Sequence, residues 1–154
     1  MTVAEFRRLV RDAMSKAGAA RHGSSWIIEG SEMAWIYTLE SRHGTRFSLM
    51  CGVELFMLNE DRRAKNANEC RLVFSLEGFS PVAGVYEVRQ AFSLDFDLDD
   101  EGRAAEVQRL VSAMTGYCKQ RLSFAQLRKS FQSGELDNGF VHFRAREVLE
   151  SGSA

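Results

Sequence analysis

A chain of 154 residues, 45% hydrophobic and 27% charged with a single proline, has the make-up of a globular domain that buries a core without disulfide or metal staples. Twenty Lys and Arg offset 21 Asp and Glu to a net charge of −1, which excludes a global field drawing in nucleic acid or acidic lipid. Charge begins at Glu5 and no apolar run is long enough for a signal or membrane span, so a cytoplasmic protein with no membrane association is expected.

In chain order, Phe6, Leu9, Val10, Ala13, Met14 and Ala17 recur at three- and four-residue spacing and predict a helix from about Val3 to Ala17. Arg7, Arg8, Arg11 and Lys16 fall on its solvated side. Gly18 ends it and Gly23 opens a turn. Trp26 to Glu29 reads as a short strand, and Gly30, Ser31 and Glu32 as a hairpin loop. Met33 to Ser41 alternates with Met33, Trp35, Tyr37 and Leu39 in one phase and Ala34, Ile36 and Thr38 in the other, the pattern of a strand covered on both faces. A third strand spans Arg46 to Leu58, with Phe47, Leu49, Cys51, Val53, Leu55 and Met57 in phase. A polar loop follows from Asn59 to Glu69, and a fourth strand from Cys70 to Glu77. Gly78 to Gly84 holds Pro81 and interrupts pairing; its Phe79 and Val82 either tuck under the loop or form an exposed contact.

The stretch YEVRQAFSLDFDL, Tyr86 to Leu98, places Tyr86, Val88, Phe92, Leu94, Phe96 and Leu98 at even positions and predicts a long strand, with only Gln90 breaking the apolar set. Beyond it, Val107, Leu110, Val111, Met114, Tyr117 and Cys118 predict a helix from about Arg103 to Leu122. Ser123 then N-caps a second helix that ends at Gly134. Phe140 to Leu149 is either a short strand with a final helical turn or an apolar arm, and Ser151 to Ala154 should fray.

The run Asp95, Asp97, Asp99 with Glu106 has the spacing of an EF-hand loop, but its sixth position is Asp100 where glycine is required, so a strand edge and a helix cap account for it better. His22, His43 and His142 share no ligand spacing, and Gly78 and Gly84 lack the Lys and Ser or Thr of a phosphate loop. Cys51, Cys70 and Cys118 are in phase with apolar neighbours and read as buried, reduced thiols. No catalytic residue, cofactor or metal is expected. From Val107 to Gly134 there is no acid, while Arg109, Lys119, Arg121, Arg128 and Lys129 carry positive charge, which is local support for phosphate contact.

The order of helix, turn with Gly23 and Trp26, and meander with the strand Phe47-Ser48-Leu49-Met50-Cys51-Gly52-Val53 resembles a bacterial family of small α+β domains of unknown function. The resemblance covers the first half of the chain and implies a bacterial cytosolic protein, with no site residues to transfer.

The expected architecture is a single α+β domain over residues 1–154. An antiparallel meander of about five strands carries the N-terminal and C-terminal helices mainly on one face. Its core comprises Phe6, Val10, Met14, Trp35, Tyr37, Phe47, Leu49, Val53, Leu72, Phe74, Phe92, Leu94, Phe96, Val107, Leu110 and Met114. Helices on one face leave Ala34, Ile36, Met50, Phe56, Leu58 and Val73 in the opposite phase. Either Phe124 to Leu149 folds over them or they meet another chain. The expected function is a non-enzymatic protein-binding module of the immunity-protein or chaperone-like kind, whose partner is another protein or a second copy. Its candidate binding residues are Met50, Phe56, Leu58, Phe79 and Val82. The alternatives are weak nucleic-acid binding through Arg109 to Lys129, or a metal-independent enzyme with a pocket that sequence does not reveal.

Overall fold

The computed structural model describes residues 1–58 and 63–151. Six antiparallel strands run in meander order: β1 Ala20–His22, β2 Ser25–Glu29, β3 Met33–His43, β4 Arg46–Leu55, β5 Leu72–Ser75 and β6 Phe140–Val141. Five helices accompany them: α1 Val3–Lys16, α2 Val85–Phe92, α3 Asp100–Lys119, α4 Phe124–Gln132 and α5 Phe143–Ser151. The protein is therefore α+β, with one antiparallel sheet. No helix among the described residues is long and apolar enough to cross a membrane. Residues 59–62 of the expected polar loop, and 152–154 of the terminus expected to fray, lie outside the described residues.

Local chemistry explains most boundaries. Thr2 and Glu5 form a capping box at the start of α1. Its end closes at Gly18, whose φ of +85° allows Ala19 N–H to reach back to the Met14 carbonyl. Asp99 accepts from Gly102 N–H and starts α3 three residues before Arg103, while Ser123 and Gln126 cap α4 reciprocally.

One apolar core joins the helices to a single sheet face. Phe6, Val10 and Met14 of α1 and Val107, Leu110 and Met114 of α3 meet Trp35, Tyr37, Leu49, Val53, Leu72 and Phe74, and Leu127, Ala145 and Leu149 extend the core into α4 and α5. The expected core residues are all buried except Leu94 and Phe96, which are half-buried.

On the opposite face it is not the C-terminal segment that covers Ile36. The loop leading into β5 lies on it, so that Ile36, Ala64 and Cys70 form a second small cluster with Ile27 and Val73. This covering makes β3 a strand buried on both faces, as its two apolar phases require.

The expected strand from Tyr86 to Leu98 is wrong. Tyr86 to Phe92 lies in helix α2, and the segment after it makes only an isolated bridge between Ser93 and Arg46. Val88, Ala91 and Phe92 are buried at helical spacing, whereas Tyr86 is 64% exposed. Two exceptions in the alternation carried this information. Gln90 stood in the apolar phase, and the fully buried Ala91 stood in the polar one.

Arg103 satisfies the backbone that a sheet ladder would have satisfied. Only 2% exposed, its guanidinium donates to the carbonyls of Gln90 (2.8 Å), Ala91 (3.0 Å), Ser93 (2.8 Å), Phe96 (2.9 Å) and Leu98 (3.4 Å). Burial holds its pKa below the usual arginine value, with Asp100 opposing the shift. Five acceptors, two of them carbonyls in the last turn of α2, compensate the desolvation. Substituting Arg103→Met should therefore cost about 3 kcal/mol or more in urea unfolding, because several buried carbonyls lose their donor. Arg103→Lys should fall between wild type and methionine, and a loss below about 1 kcal/mol for Arg103→Met would contradict this assignment.

Candidate functional site

A cleft of about 470 Å³ opens where the end of β4 meets the starts of β5 and α5, lined by Glu54, Arg63, Glu69, Cys70, Arg71 and His142 together with Leu55 and Ala64. Alternation along β4 turns Glu54 away from the helices. There its Oε1 accepts from Ala64 N–H (3.1 Å), so the loop backbone forms one wall. His142 continues from β6, and its N–H donates to the Arg71 carbonyl (2.7 Å). Arg71 Nη1 (3.2 Å) and Arg144 N–H (3.3 Å) both donate to His142 Nδ1, which therefore carries the lone pair and leaves the ring proton on Nε2.

Little in the cleft is poised for covalent chemistry. Burial, reinforced by Glu54 and Glu69, pushes the Cys70 thiol up to about 12, so no nucleophilic thiolate forms near neutrality. Arg63 is bound to Glu29 and lies 4.4 Å over the Phe56 ring. In the chain segments next to the lining residues, Phe140 is 63% exposed, Phe143 62% and Met57 44%. Arg71 links these two segments, since its Nη2 approaches the Leu58 carbonyl (3.5 Å) while Nη1 donates to His142.

The binding residues expected from sequence do not form one patch. Phe56 and Leu58 are half-buried in the segment beside the cleft. Met50 is buried, with Arg42 Nη2 (3.4 Å) and Ser48 Oγ (3.5 Å) against its sulfur. Phe79 tucks under its loop against Phe74 and Tyr117, and Val82 packs half-buried onto the core. Met50 and Phe79 are thus corrected to buried positions, Met50 with Arg42 and Ser48 against its sulfur and Phe79 beneath Tyr117 of α3. Sequence reasoning missed Arg71, His142, Phe140 and Phe143. The available signal was two phenylalanines spaced three apart around a histidine, in a stretch read only as strand or apolar arm.

The other motifs resolve into local structure. Asp99 caps α3, Asp95 accepts from Thr45 Oγ1 (2.5 Å), and Glu106 pairs with Arg109. Among the described residues no three His, Cys, Asp or Glu side chains gather as a metal site. Four of the five cations of the 109–129 stretch are engaged internally: Arg109 by Glu87 and Glu106, Lys119 by the Ala17 carbonyl, Arg121 by Glu135 and the Tyr117 ring, and Arg128 by the Leu149 carbonyl. This arrangement lends the nucleic-acid alternative no support. Comparison with protein families, curated proteins and solved structures gives no match for this chain.

All three thiols are buried and free, Cys51 and Cys118 with their sulfurs 4.0 Å apart. Burial raises Cys51 and Tyr37 well above their ordinary values, as it raises Cys70. A group whose folded pKa is raised contributes stability that is complete below its unfolded pKa and is lost as pH rises through the folded one. Unfolding free energy should thus decline as pH rises above about 8.5. Cys70→Ala should reduce that decline by about 1.4 kcal/mol per pH unit in urea titrations between about pH 9 and 11. An unchanged slope in Cys70→Ala would contradict the shift.

Proposed function

We propose that this protein is a small non-enzymatic binding module that engages another protein, or a second copy of itself, at the Phe140–Phe143 end of the sheet. One observation carries the reading: Phe140 in β6 and Phe143 at the start of α5 are both more than 60% exposed, and β6 is the last strand of the sheet and only two residues long. Exposed aromatic side chains beside an open strand edge suit docking by strand addition or by side-chain insertion. The cleft behind them supplies Arg71 and His142 as oriented polar partners, which favour register and specificity over chemistry. Such a module acts by occupying its partner, as an immunity protein or an effector chaperone does. A soluble cytoplasmic setting in a bacterium, as the resemblance of the first half of the chain implies, fits this role.

The test combines light-scattering mass after size exclusion with affinity capture from the native cell, comparing wild type with the double substitution Phe140→Glu and Phe143→Glu. Both side chains are exposed, so the variant should melt within a few degrees of wild type. Capture or self-association should weaken by about thirtyfold or more, the size of an aromatic hot-spot loss. Equal capture by the two forms would remove this end of the sheet as the interface.

A further inference from the structure

A second and larger cavity, about 670 Å³, lies at the opposite end of β4, between the β3–β4 hairpin and α2. Residues 46 and 54 are separated by roughly 25 Å along an extended strand, so this cavity is distinct from the Glu54 cleft. Its volume is within the range of small-molecule sites.

The composition of its walls is specific. On a chain of net charge −1, the cavity is lined by Arg42, Arg46 and Arg89, and by one carboxylate, Glu77. Arg89 binds Glu77 through Nε (2.6 Å), and Arg46 approaches Asp95 through Nε (3.6 Å). In both residues the terminal amino groups are left with no acceptor among the described residues, and the two side chains are 60% and 63% exposed. Behind them the lining becomes apolar through Val88, Phe92 and the half-buried Phe96. Ser93, also in the lining, is 5% exposed, and its Oγ has no hydrogen-bond partner.

From this we infer a binding site for a small amphipathic organic anion, a carboxylate attached to an aromatic or branched apolar body. Guanidinium forks match the planar pair of carboxylate oxygens, and the apolar body lies toward Phe96 and Val88. Inorganic phosphate satisfies the arginines but leaves the apolar wall in water, and a neutral hydrocarbon does the reverse. Only a ligand with both parts uses both walls. The site is independent of the proposed protein-docking end and stands if that reading fails.

The probe is 1-naphthoate, titrated into the full chain and followed by amide chemical shifts, with 1-naphthalenemethanol and inorganic phosphate as the neutral and apolar-free controls. Naphthoate should shift the amides of Arg46, Ser93 and Phe96 with a Kd of about 0.1–1 mM at low salt, and either control should bind at least about tenfold more weakly. Arg46→Gln combined with Arg89→Gln should weaken naphthoate by about tenfold or more, while Arg144→Gln, outside the cavity, should leave it unchanged. The inference is overturned by any of three results: no cavity shifts at about 10 mM naphthoate, equal binding of either control, or unaltered binding by the double variant. If the double variant loses its fold, the comparison of naphthoate with the two controls on the unaltered protein decides the matter.

Discussion

The missing side chain at Gly52 allows a polar loop to lie directly on the sheet. A Cβ built there would stand 2.5 Å from the Ala67 carbonyl oxygen and 2.7 Å from Cys70 Sγ, closer than such atoms approach. Everything on the second face depends on that proximity. With the loop in place, Ala67 N–H reaches Thr38 Oγ1 (3.0 Å), His22 Nε2 donates to the Ala64 carbonyl (2.7 Å), and Asn68 bonds Glu40. Ile36 and Cys70 are sealed from water, and Glu54 acquires the backbone wall that makes a cleft of the end of β4. The sheet thus has two coverings of different chemistry: apolar helices on one side, and on the other a loop that exchanges its backbone polarity for side-chain acceptors already on the strands.

Arg103 solves the converse problem on the helix side. There an irregular segment, Ser93 to Leu98, follows α2 without a partner strand, and a single buried guanidinium gathers its carbonyls. By fixing this segment Arg103 also sets the wall of the larger cavity, since Ser93 and Phe96 both contribute to it. Arg109 and Arg121 are held by carboxylates, whereas Arg46 and Arg89 keep their terminal amino groups without an acceptor among the described residues.

Much of the sheet was legible in the sequence because period two is unambiguous where one phase is continuously apolar, as in Phe47 through Leu55. The α1 and α4 boundaries were legible because Gly18, Ser123 and Gly134 act through local backbone chemistry. β1 was not, since Ala20-Arg21-His22 is short and polar and is held by pairing with β2 alone. Tyr86 to Leu98 failed for a more general reason. Over seven residues Val88, Ala91 and Phe92 fit a helix as well as Val88, Phe92 and Leu94 fit a strand, and the decision rests with Arg103, whose carbonyl partners lie 5 to 13 residues before it. The second covering was hidden because Ala64, Ala67 and Cys70 are small and separated by charges, so their common inward direction follows from the loop's path and not from any period. The cleft was hidden with it: Glu54, Arg71 and His142 are distant in sequence and meet only once the loop and β6 are placed.

Closure of the second face by the chain's own loop is the claim on which the cleft and the Cys70 thiol shift both depend. Native-state hydrogen exchange tests it at two amides, Ala64, bonded to Glu54 Oε1, and Ala67, bonded to Thr38 Oγ1. If the loop is seated as described, both should exchange at least about a hundredfold more slowly than free peptide. Exchange of both at the free-peptide rate would show the loop detached and the Ile36 face open, contradicting the account.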